Sequence, residues 1–410
     1  MAEIKRVRGF QDIYGENVKK YRYVVDTARD IFKRYNFSEI ILPYVEDVSL
    51  FIRSVGEETD IVQKEMYVFE DRGGRKVALR PEGTASAVRA FIEERLYAKG
   101  GYHKLFYEGA MFRHERPQAG RYRQFHQIGA EIFGVSSPVA DAELIKMVKD
   151  ILDALNIEAR LEINTLGDFE SRKEYVRVLK EYLKKVENSL CEDCRKRIER
   201  NPLRVLDCKV EGCREATREA PVLIDFLSDE SIERFEKLKE YLNNLGVNYQ
   251  VNPRLVRGLD YYTDTVFEFI TDKIGAQGTV AAGGRYDTLV KQLGGPDTPA
   301  LGFAAGIERL MLLVENLPIE RKPVVVLPVV SEFNIDALKV AGKLREKGIK
   351  TELILKEGSL KSRMKLANKI GAEYVVFVSE KPELKDMETG EQEQFDNVEN
   401  LIDVLVEKVG

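Results

Sequence analysis

The sequence predicts an α+β fold: a large antiparallel-sheet body carrying a helical insertion, then a separate C-terminal α/β domain. Three observations predict it. Strand-like runs pair around turns and polar loops between 66 and 134, and strands resume between 247 and 286. From about 168 to 242 the strand pattern vanishes and charged helical stretches take over. Beyond LPIERKP (317–323) continuous apolar runs alternate with helices, the pattern of a small parallel sheet with covered faces. The expected division is therefore 1–320, with an insertion at 168–242, and 323–410. A chain of 410 residues has room for roughly two to four domains and for a sizeable core without disulfides.

Each element follows from local pattern. Tyr21, Val24, Val25, Ala28, Ile31, Phe32 and Tyr35 recur at helical spacing, which predicts a helix over 16–36. SEIILPYVED (38–47) is β-rich but broken by Pro43, so it belongs at a sheet edge or an interface. MYVFEDRGGRKVALR (66–80) reads as a hairpin turning at Asp71 to Gly74, and a helix follows from about Ala85 to Ala98. KLFYEGAMFRHE and QFHQIGAEIFG are strands flanking a polar loop, and a helix over 139–155 and a strand at 161–167 come next. After the insertion, strands are expected at VNYQVNPRLVRG, YYTDTVFEFI and GTVAAGGRYD, and a helix at GIERLMLLVENL. The last domain alternates PVVVLPVV, a helix near 334–347, TELILK, a helix at 360–370, YVVFVS and a helix near 397–408.

Composition excludes several classes. Hydrophobic residues make up 44% and charged residues 32%, an ordinary globular balance. No apolar run approaches the roughly 18 residues that span a bilayer, and the first twenty residues hold no apolar leader core. A membrane protein, a secreted disulfide scaffold and a disordered tail are therefore not expected. The net charge of −5 argues against a coat of positive charge but leaves room for a local basic groove. All four cysteines fall between 191 and 213, as Cys191-x2-Cys194 and Cys208-x4-Cys213. Two close pairs suit a tetrahedral Zn²⁺ site, and four reduced thiols in a helical segment remain the alternative.

The chemistry-bearing residues lie in five stretches. FRHERPQAGRYRQFHQIG (112–129) carries Arg113, Arg116, Arg121 and Arg123 interleaved with Tyr122, Phe125 and two histidines. Arginine grips phosphate bidentately and aromatics stack on bases, so this hairpin reads as a phosphate or nucleotide site. There is no GxxxxGK[ST] and no GxGxxG between strand and helix, so any nucleotide is held by another architecture. In LRPEGTASAVRA (79–90), Thr84 is placed to cap a helix and Glu82 to bind an amine. LVRGLDYYTDTVFEF (255–269) holds Arg257, Tyr261 and Tyr262. In VAAGGRYDTLV (280–290) Gly283 and Gly284 allow close backbone approach. LGFAAGIERL (301–310) leads small residues into a helix bearing Glu308 and Arg309.

Together and in this order, the five stretches and SEIILPYVED resemble the histidyl-tRNA synthetase family of class II aminoacyl-tRNA synthetases, over essentially the whole chain. SEIILPYVED looks like the family's motif 1, FRHERPQAGRYRQFHQ like motif 2 and GFAAGIERL like motif 3. LVRGLDYYT and AAGGRYD look like its histidine-specific elements. The resemblance implies a class II antiparallel-sheet catalytic core, a C-terminal anticodon-binding α/β domain, a cytoplasmic homodimer paired through motif 1, and a ligase reaction. L-histidine and ATP, as its Mg²⁺ complex, would give histidyl-adenylate and pyrophosphate. Histidine would then pass to the 3′ end of tRNA(His). Catalysis would be positioning and electrostatics, because the histidine carboxylate is itself the nucleophile.

The resemblance also implies roles. Arg113 would hold the α-phosphate, and Arg257 would stabilise the charge developing there. Glu115 would read adenine, Phe125 would stack on it, and Arg121 and Arg309 would grip the β- and γ-phosphates. Glu82, Gly83, Thr84 and Gln127 would surround the amino group of histidine. Glu131 and Tyr262, with Tyr261 beside them, would face its imidazole. Lys361, Arg363, Lys365 and Lys369 share a helix that Ser359 can cap, and would contact tRNA. Any zinc at Cys191, Cys194, Cys208 and Cys213 would be structural. Two rivals are a regulatory paralogue that keeps the core without the activity, and a plain RNA-binding or scaffolding protein. The retained arginines and the α/β tail speak against the first, and Glu82 and Glu131 against the second.

Overall fold

The computed structural model describes residues 3–57, 59–118, 120–256, 258–259, 261–275 and 278–409. It divides into two compact units, Met1–Leu317 and Pro318–Gly410. The first holds strands β1 (Ser38–Glu39), β2 (Val45–Asp47), β3 (Tyr67–Glu70), β4 (Lys76–Leu79), β5 (His103–Phe112), β6 (Gln124–Phe133), β7 (Arg160–Thr165), β8 (Gln250–Val251), β9 (Thr263–Ile270), β10 (Thr279–Arg285) and β11 (Ala300–Gly306). Eight of them form one sheet in the order β1-β5-β6-β11-β10-β9-β7-β8. Its centre is antiparallel, and only the two-residue edge strands β1 and β8 pair parallel. A small antiparallel sheet, β2-β4-β3, stands apart.

Period-two alternation sorts the sheet into two faces. On β6, Ile128, Ala130 and Ile132 join the main core, whereas Phe125 and Gln127 open on a cavity on the other face. On β11, Leu301, Phe303 and Ala305 enter the same core, and Ala304 and Gly306 line the cavity. Three long helices cover the core face, Glu16–Arg34, Pro138–Ala154 and Asp229–Asn244, and the short helix Ile307–Leu313 packs into the same core. The first buries Tyr21, Val24, Val25, Ala28, Ile31 and Phe32, and stops where Asn36 takes a positive φ of 60°.

Several expectations change. The helix Asp229–Asn244 falls inside the stretch expected as insertion, yet Phe235, Leu238 and Leu242 belong to the main core. Among the described residues of 247–258 only β8 forms, because Pro253 lacks the N–H a ladder needs. The helix expected over 306–317 is confined to Ile307–Leu313, and the residues before it form the central strand β11. Its Ala-Gly composition hides the strand, since such residues have low β propensity.

The second unit holds β12 (Val324–Pro328), β13 (Thr351–Leu353), β14 (Tyr374–Val378), β15 (Glu383–Asp386) and β16 (Gln392–Gln394). β13, β12 and β14 are the expected parallel strands. The sheet is mixed, however, because the polar hairpin β15-β16 extends it antiparallel. The hairpin's solvated, acidic strands carry no apolar run to announce them. Among the described residues no helix is long and apolar enough to cross a membrane.

Candidate active site

A cavity of about 270 Å³ opens on the face of the large sheet opposite the three helices. The expected residues Glu82, Thr84, Arg113, Glu115, Arg121, Phe125, Gln127, Tyr261, Tyr262 and Arg309 all line it. They come from segments more than 200 residues apart, joined by the register of β5, β6, β10 and β11. Arg257 lies outside the described residues.

One half is cationic. Arg113 follows β5, and its Nε donates to the Pro81 carbonyl at 2.8 Å. Its guanidinium lies 5.4 Å from the Phe125 ring centre. Arg121 pairs with Glu115 at 3.0 Å, and Arg113 reaches the same carboxylate at 3.8 Å. Arg309 donates from Nη1 to the Thr279 carbonyl at 2.6 Å. Burial, and then the neighbouring Arg121, hold its guanidinium below the ordinary value. Cations brought together this way favour a polyanion. Gly120 keeps the loop close to the third motif: its φ is +69°, and a Cβ there would lie 3.4 Å from Arg309.

The other half is a buried polar network. Glu82, not Thr84, caps the helix Thr84–Glu93: its carboxylate accepts the N–H groups of Thr84 and Ala85, each at 2.8 Å. Burial pushes this carboxyl up, against those two N–H groups and Arg113. The Thr84 hydroxyl is turned inward and donates to Glu131 at 2.8 Å. Gln127 Oε1 is buried without a partner among the described residues, an acceptor aimed at the cavity.

Glu131 stands differently from expectation. It is fully buried and does not line the cavity. Its carboxylate accepts the hydroxyls of Thr84, Tyr107 at 3.0 Å, and Tyr286. Burial pushes its carboxyl up to about 8 and drives both phenols well above their ordinary value, so the phenols stay protonated. Glu131 thus works one layer down, orienting hydroxyls. Glycines make the room. Gly302 faces Glu131 across the β6–β11 ladder, and a Cβ on it would fall 1.6 Å from Glu131 Oε2. The Tyr107 ring passes where a Cβ on Gly83 or Gly129 would sit, at 2.2 and 2.5 Å. Gly83 therefore admits a ring and is not itself at the cavity wall.

Tyr107, Tyr286, Glu268 and Glu308 escaped sequence reasoning as site residues. Glu308 accepts the His126 backbone N–H at 2.9 Å and meets His126 Nδ1 at 2.8 Å, which ties the helix Ile307–Leu313 to β6. Only its place beside Arg309 hinted at it.

In the second unit Lys361, Lys365 and Lys369 are exposed on the helix Leu360–Ile370, whose N-terminus Ser359 caps. Arg363 does not join them. It donates to the carbonyls of Pro328 and Val329, fastening the helix to the end of β12. The four cysteine sulfurs come together, all within 4.8 Å of one another.

A family model described as Histidyl-tRNA synthetase matches residues 9–310, and one described as Anticodon binding domain matches 323–408. The chain is 58% identical to a histidine–tRNA ligase of Aquifex aeolicus, covering 95% of this chain and 98% of that one. It resembles the apo histidyl-tRNA synthetase of S. aureus at a TM-score of 0.82 and 36% identity, over 99% and 100% of the two chains. An ATP phosphoribosyltransferase regulatory subunit/histidyl-tRNA synthetase of Bacillus halodurans matches at 0.67 and 20% identity, over 92% and 98%. That last likeness shows a shared fold alone.

Proposed function

The chain belongs to the histidyl-tRNA synthetase family and is a histidine–tRNA ligase, and from that premise we propose how its residues divide the reaction. ATP enters as its Mg²⁺ complex. Its adenine lies against Phe125, within reach of Glu115, and its phosphates meet Arg113, Arg121 and Arg309. The Glu115–Arg121 pair opens as the more highly charged triphosphate takes the cation. Arg257, assigned from its motif alone, stabilises the charge growing on the α-phosphate.

L-Histidine places its ammonium group against Glu82, Gln127 and the Thr84 side of the cavity. Its imidazole meets Tyr262 and Tyr261, whose surroundings Glu131 organises through Thr84, Tyr107 and Tyr286. The carboxylate of histidine attacks the α-phosphorus and pyrophosphate leaves with both bonding electrons. The 3′-terminal ribose hydroxyl of tRNA(His) then attacks the adenylate carbonyl, releasing AMP. No protein nucleophile is required; the protein supplies alignment and a fixed field. Amino acids lacking an imidazole would leave buried polar groups unpaired, which is a strong basis for rejection.

The observation that carries this reading is the convergence on one cavity of three arginines, the buried Glu82 and the Gln127 oxygen, unpartnered among the described residues. The anticodon-binding domain supports tRNA as partner. Lys361, Lys365 and Lys369, exposed on one helix, would track its backbone. A second copy of the chain would cover Ile41, Tyr44, Val45, Val68 and Phe69, all exposed around the Pro43 break. The working compartment is the cytoplasm, where charged tRNA is used. The test is ATP–pyrophosphate exchange with each of the twenty amino acids. Exchange with histidine alone is expected; exchange with none, from folded protein, would overturn the assignments.

A further inference from the structure

The segment 191–213 is built of short pieces. Its helices are short, nine residues in Glu192–Arg200 and six in Glu211–Ala216, too short to persist alone. Cys191 precedes the first helix and Cys194 lies in its first turn. Cys208 follows the turn Pro202–Val205, and Cys213 lies in the second helix. Three of the four side chains are buried. The sulfurs come from three separate pieces of chain, yet all lie within 4.8 Å of one another.

We infer that these four cysteines bind one Zn²⁺ through their sulfurs, and that the metal staples the segment against the catalytic body. Tetrahedral zinc–thiolate bonds of about 2.3 Å put the sulfurs about 3.8 Å apart. The Cys191–Cys208 separation is 4.0 Å, close to that value and about twice a disulfide bond. All four cysteines are free, so four ligands are available. The Cys191 N–H already donates to Cys213 Sγ at 3.1 Å, the kind of bond that supports a metal-bound thiolate. Cysteines packed simply as small apolar groups would spread among the surrounding leucines and valines and have no cause to meet at one point. An all-thiolate set selects a soft or borderline ion and disfavours Mg²⁺ or Ca²⁺.

The staple has a place to act. Arg197 and Arg204 of the same segment pair with Asp60 at 3.3 and 3.6 Å. The Arg204 guanidinium lies 3.0 Å from where a Cβ on Gly258 would stand, so Gly258 admits it. Gly258 belongs to the stretch that delivers Leu259, Tyr261 and Tyr262 to the cavity. The metal therefore holds the part of the chain that backs the amino-acid side of the site.

The test uses the full-length chain. Metal analysis of protein purified without chelator should find about one zinc per chain, and thiol titration should find few reactive thiols until a chelator exposes four. Co²⁺ substituted for zinc should give the intense charge-transfer bands of tetrahedral thiolate ligation. Cys194→Ser and Cys208→Ser should each lose the metal and raise the KM for histidine more than the KM for ATP. If either variant fails to fold, the metal, thiol and cobalt measurements on the unaltered chain decide alone. Metal-free protein with four freely titrating thiols, a disulfide, or cobalt bands without thiolate character would overturn the inference. An unaltered chain that is metal-free as purified and still shows histidine-dependent exchange would refute the zinc site and leave the proposed function standing.

Discussion

Gly302→Ala replaces one hydrogen by a methyl group at the centre of the sheet. The new Cβ would fall 1.6 Å from Glu131 Oε2, 2.6 Å from its Cδ and 2.7 Å from the Ala130 carbonyl oxygen. Backbone on both sides is locked in the β6–β11 ladder, so the carboxylate must move. Moving it takes the acceptor from Thr84, Tyr107 and Tyr286. Overpacking a tight core costs about 1–3 kcal/mol, and each buried hydroxyl left unpaired about as much again. Partial relaxation brings the expected loss to about 3–6 kcal/mol. Urea denaturation followed by tyrosine fluorescence measures it, because every tyrosine except Tyr374 lies in the first unit. Glu131→Ala removes the obstructing carboxylate, so the double variant should lose less than the two single losses combined. The difference should be about 2 kcal/mol or more. A Gly302→Ala protein within about 0.5 kcal/mol of the parent, with unchanged KM for histidine, would show that the glycine makes no room for Glu131.

Glu131→Gln tests the same network by pH. The folded state keeps this proton up to about 8, whereas the unfolded chain releases it near 4.5. Its contribution to stability is therefore full below 4.5 and is lost as pH rises toward 8, by up to about 1.4 kcal/mol per unit. The parent's stability relative to Glu131→Gln should fall across that window in denaturation series at pH 5 to 8; a constant difference contradicts the burial argument. Arg309→Ala should raise the KM for ATP and lower exchange kcat/KM by about 10²–10³, with little effect on histidine binding by calorimetry. Replacing Lys361, Lys365 and Lys369 together by Ala should raise the KM for tRNA and flatten its salt dependence while leaving pyrophosphate exchange intact. Equal losses in both assays would show that the helix does not act through tRNA.

The residue types that do chemistry, and the elements that carry them, can be read along the chain. FRHERPQAGRYRQFHQ supplies its arginines and Phe125 on and between two strands, LRPEGT leads from a strand into a helix, and the cysteines come as two close pairs. Periodicity reveals the helix Glu16–Arg34, because burial of one face leaves a regular trace, and continuous apolar runs reveal the parallel strands of the second unit, because both their faces are covered. What those residues touch follows from how distant segments come together. The fold sank Glu131 beneath the cavity, gave Thr84 to Glu131 and the cap to Glu82, and fastened Arg363 to the end of β12. It also made a central strand of the small residues Ala300–Gly306, where a helix leader was expected. The reason is physical. Local pattern records which face of an element is buried, but the partner across a sheet is set by register between segments far apart in the chain. Gly302 reads as a flexible residue until Glu131 lies opposite it, 171 positions away in the chain.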